Sequence, residues 1–147
     1  MKRFKYPPFL VLFGLIVQSL LSAYFPLYIF DYFPLILSIA FIFIGLCSIV
    51  FLLDVFKKKE TAILPDGDPE VLLTHGPYSF SRNPIYLSMT VILIGSSMLY
   101  NCLSVFIIPI LFAVLVKIIW IDYEEAKLKK TFGEEYLNYK KKTRRWI

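Results

Sequence analysis

The chain has 147 residues, of which 58% are hydrophobic, and its mean hydropathy is +0.66. This composition excludes an ordinary soluble domain and predicts a membrane protein. The net charge of +5 is explained by cations on the cytoplasmic side of such a protein, with attraction to anionic lipid as a secondary effect, so nucleic acid is not needed as a partner.

The chain contains four apolar segments, at residues 8–30, 34–53, 85–100 and 102–121. A helical span needs roughly 20 residues, so the third segment is short and requires tilt or an extension through Asn83 and Pro84. We predict an all-α polytopic membrane protein with about four transmembrane helices, forming a single domain over residues 1–147. A cytoplasmic loop at 53–83 and a helical extension at the carboxyl end would form its site, and the motif-bearing half would be 85–147.

The fourth segment contains a proline and continues into a polar region. Pro109 is expected to kink this helix, a distortion that membranes tolerate when neighbours satisfy the freed carbonyl. From Lys117 onward no helix breaker occurs before Gly133, which predicts one continuous rod leaving the bilayer. Trp120 and Trp146 are interpreted as residues of the interfacial aromatic belt.

The cations are concentrated at the amino terminus, in the 53–83 connection and after residue 121. Because short cytoplasmic loops hold the excess of Lys and Arg, both termini and this connection are predicted to face the cytoplasm. Richness in lysine, isoleucine and phenylalanine favours a multi-pass protein of a prokaryotic cell membrane. Cys47 and Cys102 have no neighbouring Cys or His, so we interpret both as small apolar packing residues rather than metal ligands.

The densest chemistry lies where the 53–83 connection meets the third apolar segment. Pro77 and Pro84 fix φ and restrict the preceding residues, so the stretch between them is predicted to be a shaped turn. This stretch lies where water meets the hydrophobic layer, which suggests a binding loop. Its candidate site residues are His75, Tyr78, Ser81, Arg82, Asn83 and Tyr86.

An acidic pair, Glu124 and Glu125, follows the fourth segment and should lie at the same interface as Arg82. A pocket with both signs of charge suits a solute with both signs, such as S-adenosylmethionine, although the residues alone do not single out this cofactor. ATP fits less well because the chain has no Gly-rich phosphate loop of the Walker type. A dinucleotide fold is excluded by the absence of GxGxxG and of alternating strands.

Several short motifs occur in a fixed order over roughly residues 61–146, and together they resemble those of integral-membrane methyltransferases. The family includes isoprenylcysteine carboxyl methyltransferase and the phospholipid methyltransferases. The motifs are Gly76-Pro77-Tyr78, Ser81-Arg82-Asn83-Pro84-Ile85-Tyr86-Leu87, Glu124-Glu125-Ala126-Lys127-Leu128, Phe132-Gly133-Glu134-Glu135-Tyr136, Tyr139 and Arg145-Trp146.

The resemblance implies S-adenosylmethionine as cofactor, no metal, and a lipophilic small-molecule or lipid substrate that enters from the lipid bilayer. It implies catalytic roles for Arg82 and Glu125, with Arg82 holding the cofactor or an acceptor carboxylate. The cofactor site would be shaped by His75, Tyr78, Ser81, Asn83, Tyr86 and Glu124. Asn83 departs from the family pattern, since many members have His there.

The methyl acceptor stays open between an isoprenylcysteine-type carboxylate, a phospholipid amine and another lipophilic acid or thiol. Two further hypotheses compete with the methyltransferase. One is an NADPH-dependent membrane reductase of the sterol-reductase type, and the other is a non-catalytic membrane protein.

Overall fold

A computed structural model of the chain describes residues 7–27, 35–58 and 69–147. In these ranges the backbone forms helices joined by turns, which confirms the all-α class. Three helical stretches are long and apolar enough to cross a membrane. A shorter apolar helix, Pro84–Leu99, has 16 residues. The protein is therefore an all-α polytopic membrane protein, as predicted.

The first two helices differ from their predicted bounds mainly at their carboxyl ends. Helix α1 is Pro7–Tyr24, and it ends before Pro26, as the restriction on residues preceding proline leads one to expect. Helix α2 is Leu35–Lys58, and it ends five residues beyond the predicted segment. An Asp54–Lys58 ion pair of 2.7 Å, one turn apart, and the basic residues at the carboxyl end favour this extension. Residues 59–68 of the predicted loop lie outside the described residues.

Two helices follow the loop, each beginning with a proline. Helix α3 is the single turn Pro77–Phe80, and α4 is Pro84–Leu99. Proline suits the first helical position because its missing N–H would be unpaired there anyway. The short apolar segment thus extends back to Pro84, as predicted.

Helix α4 is the central element, because α1, α2 and the following helix α5, Ile107–Val116, all pack against it. Glycines set the closest approaches between α2 and α4. A Cβ atom on Gly45 would lie 2.5 Å from Ile92 Cγ1, and one on Gly95 would lie 2.9 Å from the Ser38 carbonyl oxygen. Small residues of this kind let helix backbones come close in a membrane.

A buried polar link joins α1 to α4 away from the site. Gln18 is fully buried, and its Nε2 donates to the Leu93 carbonyl at 3.0 Å and to Ser97 Oγ at 2.7 Å. Ser96 Oγ donates to Gln18 Oε1 at 2.6 Å. This amide therefore links α1 to α4 by hydrogen bonds, as polar side chains do between helices in a membrane.

The last apolar segment is continuous but contains three helix types. It begins with the 3₁₀ turn Leu103–Phe106, passes through α5 and a π segment at Lys117–Ile121, and ends with α6, Asp122–Lys142. Pro109 lies in the first turn of α5, directly after the 3₁₀ turn, at a position where proline is tolerated, and the kink there stays a prediction. Further irregularities are the π segment and Gly133, whose φ of 51° and ψ of −121° favour glycine.

Both tryptophans pack against the main core. Trp120 is only 3% exposed and lies with Tyr86 and Met89, so it does not face lipid as a residue of the aromatic belt would, and Trp146 packs partly buried against the same core. The spacing of four residues from Phe112 through Val116 to Trp120 keeps these buried side chains on one helical face.

Candidate functional site

A cavity of about 280 Å³ lies at the end of the bundle where α1, α4 and α6 begin and α2 ends. One wall is apolar and the other carries charge and hydroxyl groups, so the cavity can accept an amphiphilic ligand. The apolar wall includes Pro8, Ile49, Leu53, Phe56, Ile85 and Met89. The polar wall includes Tyr78, Arg82, Asn83, Tyr86, Glu124 and Glu125.

The π segment helps to aim the acidic pair at this cavity. A π turn accommodates one additional residue, which offsets the following side chains by about 100° relative to the preceding helix. Glu124 and Glu125 lie in the first turn of α6, directly after this offset, and both line the cavity.

Glu125 is the centre of a buried ion-pair cluster with Arg82 and Arg145. Arg82 donates from Nε and Nη2 to Glu125 Oε1 at 3.2 and 2.8 Å. Arg145 donates from Nε to Oε1 at 3.0 Å and from Nη2 to Oε2 at 2.8 Å. The side chains of Arg82 and Glu125 are 9% and 8% exposed. Such burial requires complete hydrogen bonding, because the desolvation penalty otherwise exceeds the Coulombic gain.

The remaining donors of Arg82 bind the carboxyl-terminal end of α6. Arg82 Nη1 donates to the Thr143 carbonyl at 2.7 Å and, with a longer contact of 3.4 Å, to the Lys140 carbonyl. The guanidinium is therefore fully engaged with protein groups. The structure brings Arg82 and the acidic pair together, and it gives Arg82 internal partners where a cofactor or acceptor carboxylate was expected.

Residues 143–146, here called the tail segment, lie along the loop that contains the predicted site residues. The Arg82 backbone N–H donates to the Arg144 carbonyl at 3.0 Å. Ser81 Oγ and Asn83 Nδ2 both donate to the Arg145 carbonyl, at 3.2 and 3.0 Å. Ser81 and Asn83 therefore hold the tail segment, and Asn83 also lines the cavity.

Glu124 differs from Glu125 in that the ion pairs among the described residues do not include it. It accepts a 2.6 Å hydrogen bond from the Tyr86 hydroxyl and lines the cavity. A carboxylate with one phenol partner beside a cavity can bind a cation, because the electrostatic attraction is strong where water is partly excluded.

Several groups of the site have shifted pKa values, among them Tyr78 and Arg145. Burial raises the pKa of Tyr78, with smaller contributions from Tyr139 and Glu124, so its hydroxyl stays protonated. The hydrogen bond to Glu125 raises the pKa of Arg145 despite opposing desolvation, so the guanidinium stays charged. Tyr139 adds a direct link, since its hydroxyl donates to the Tyr78 carbonyl at 2.6 Å.

His75 lies apart from the other predicted residues. Its side chain is exposed, its Nδ1 lies 2.9 Å from Thr74 Oγ1, and it is not among the residues lining the cavity. The loop turns at Gly76, where φ is 63°, and this turn separates His75 from Tyr78.

Sequence reasoning placed three residues in the motifs but gave them no role in the site: Tyr136, Tyr139 and Arg145. The two tyrosines line the cavity from α6, and their spacing of three residues puts them on one helical face. Arg145 belonged to a recognised motif, but its partner could not be inferred without knowing how the chain returns after Gly133.

The fold and this cavity define a polytopic membrane protein with an amphiphilic site at one end of its helices. The family model for phospholipid methyltransferases matches residues 33–135, more than two thirds of the chain. The chain belongs to this family and is a membrane methyltransferase. No individual curated protein and no solved structure matches it.

Proposed function

We propose that the protein transfers a methyl group from S-adenosylmethionine to a lipophilic acceptor at the predicted cytoplasmic face of the membrane. The observation that carries this proposal is the position of Glu124, a carboxylate without an ion-pair partner among the described residues, in a cavity that has an apolar wall. The proposal treats the whole chain as one catalytic domain.

The residues that line the cavity fit the chemistry of this cofactor. Bound S-adenosylmethionine supplies a methyl group activated by a sulfonium. Glu124 would hold the cationic end, and Tyr86 would orient Glu124 through their hydrogen bond. The aromatic rings of Phe56 and Tyr78, which meet edge to face with centroids 6.0 Å apart, would offer an apolar surface to the adenine.

The cavity also has room for an acceptor beside hydrocarbon. Ile49 and Leu53 on α2 and Met89 on α4 present apolar side chains to it. These side chains would bind the lipophilic part of the acceptor, and the surrounding protein would exclude water. Alignment of the two reactants and loss of water would provide most of the rate enhancement.

Within this reaction class, the charges favour an amine acceptor over a carboxylate. A carboxylate acceptor would need a free cation, but Arg82 and Arg145 are both bound to Glu125. Tyrosine rings such as that of Tyr78 line the cavity and suit an ammonium head group through cation–π attraction. The isoprenylcysteine-type carboxylate therefore becomes the second candidate.

The test is a methylation assay on purified protein in lipid nanodiscs with methyl-labelled S-adenosylmethionine. Three acceptors are compared: a phospholipid with a primary amine head group, a prenylated cysteine analogue, and a total lipid extract. We expect label in the aminophospholipid, and loss of labelling in Glu124→Gln but not in the exposed control Glu134→Gln. Thermal protection by NADPH without protection by S-adenosylmethionine would instead support a reductase.

A further inference from the structure

We propose that Arg145 is a positioning residue of the site, which fixes the tail segment between the acidic first turn of α6 and the loop carrying Arg82 and Asn83. Its effect on cofactor affinity rests on the proposed function. Its effect on the order of the tail segment does not.

The side chain of Arg145 spans two carboxylates of the same helical turn. Its Nε and Nη2 bind both oxygens of Glu125, at 3.0 and 2.8 Å, and its Nη1 lies 3.1 Å from Asp122 Oδ1. A planar guanidinium can make such a paired contact, whereas an ammonium cannot. The side chain therefore ties the tail segment to the beginning of α6.

The main chain of the same residue contacts the opposite wall. Its carbonyl accepts hydrogen bonds from Ser81 Oγ and Asn83 Nδ2, and the preceding carbonyl, of Arg144, accepts one from the Arg82 N–H. Arg145 is thus connected to both the loop and α6. Loss of its side chain would remove the tie between the tail segment and the first turn of α6, and the geometry of the two walls would loosen.

A charge effect and a positioning effect of Arg145 predict opposite changes in the affinity for the cofactor. S-adenosylmethionine carries a net positive charge, so removing a nearby cation would by Coulomb's law strengthen its binding. Loss of the wall geometry would weaken its binding instead, since small displacements of positioned groups are costly. The direction of the change therefore separates a positioning role from a simple charge effect.

The neighbouring residue supplies a matched control. Arg144 carries the same charge one position earlier, its side chain is exposed, and none of the hydrogen bonds or ion pairs described for it involves that side chain. Gln18→Ala supplies a second control, because it removes a buried interhelical link away from the cavity and should destabilise the fold without moving the site.

The experiment uses the full chain in nanodiscs and compares wild type with Arg145→Ala, Arg145→Lys, Arg144→Ala and Gln18→Ala. Hydrogen exchange without cofactor is measured over residues 79–83 and 139–147, and S-adenosylmethionine binding is measured by calorimetry. We expect Arg145→Ala to speed exchange in both regions and to raise the cofactor Kd about tenfold. Arg145→Lys should be intermediate, and Arg144→Ala should stay within about twofold of wild type. In activity assays, the KM for the cofactor should rise more than kcat falls.

Unchanged exchange in Arg145→Ala would overturn the proposal whether or not the cofactor binds. So would tighter binding, or a change in Kd that Arg144→Ala or Gln18→Ala reproduces. If wild type fails to bind S-adenosylmethionine while Arg145→Ala still loosens the tail segment, the positioning role stands and the proposed function fails.

Discussion

The Tyr86 hydroxyl donates a 2.6 Å hydrogen bond to Glu124 Oε1, which joins the first turn of α4 to the first turn of α6. The adjacent Glu125 has a different role, because two guanidiniums and the more distant Lys140 ammonium neutralise it. The two neighbouring carboxylates therefore differ in their surroundings: Glu125 belongs to the ion-pair cluster, whereas Glu124 lines the cavity and, in the function we propose, would hold the cofactor.

The first prediction concerns Glu124. Glu124→Gln keeps the size of the side chain and its ability to accept from Tyr86, but it removes the negative charge. A hydrogen bond to a charged group contributes about 1.5–3 kcal/mol, so the Kd for S-adenosylmethionine should rise on the order of tenfold or more. Isothermal calorimetry on nanodisc-embedded protein measures this change. An equal loss in the exposed control Glu135→Gln would show that overall charge, and not this carboxylate, sets the affinity.

The second prediction concerns the buried ion-pair cluster. Arg82→Ala removes one of the two guanidiniums of Glu125 and leaves the Thr143 carbonyl without its donor. Breaking a buried pair costs about 3–5 kcal/mol, so the variant should unfold at clearly lower temperature or denaturant concentration. Lys129→Ala, which removes an exposed cation from α6, is the matched control and should stay near wild type. Similar stability of the two variants would contradict a structural role for Arg82.

The helices were largely predictable, because long apolar runs leave few alternatives to membrane-spanning helices. Even the short third segment was correctly extended back to Pro84. Boundaries set by local interactions were less accessible: α2 runs past Leu53 to Lys58 with the help of the Asp54 ion pair. The π segment depends on tertiary packing, which regular helical periodicity does not encode.

The sequence predicted which segments of the chain meet at the site, but not which side chains bond one another there. Positive-inside reasoning placed Arg82 at the same membrane face as the acidic pair, and these groups do meet. Which carboxylate Arg82 binds depends on the return of the chain after Gly133, where the backbone leaves helical geometry. That return brings Arg145 to Glu125 beside Arg82. A single sequence has no local signal for this contact. The exposed position of His75 follows from the turn at Gly76 in the same way.

The third prediction concerns the packing of α2 on α4. At Gly45 an added Cβ would lie 2.5 Å from Ile92 Cγ1 and 2.8 Å from the Ser88 carbonyl oxygen, so the helices must move apart. At Gly14 the nearest atoms are side-chain methyls at 3.3 Å, which can adjust. Gly45→Ala should therefore cost about 1–3 kcal/mol of unfolding free energy, and Gly14→Ala should cost less. Denaturant titration in mixed micelles compares them, and the reverse order would contradict the close approach.

The fourth prediction concerns the hydroxyl of Tyr136, which is buried without a hydrogen-bond partner among the described residues. Leaving a buried polar group unpaired costs about 1–3 kcal/mol, so Tyr136→Phe should raise the unfolding free energy of the protein without ligand. If the hydroxyl pairs with a group of the bound cofactor, the same variant should gain less stability than wild type from S-adenosylmethionine. Thermal unfolding with and without the cofactor measures both effects.

Tyr139→Phe is the contrasting control, since it removes the hydrogen bond to the Tyr78 carbonyl and should destabilise the protein in both conditions. Destabilisation of the ligand-free protein by Tyr136→Phe would show that the hydroxyl has a partner in solution.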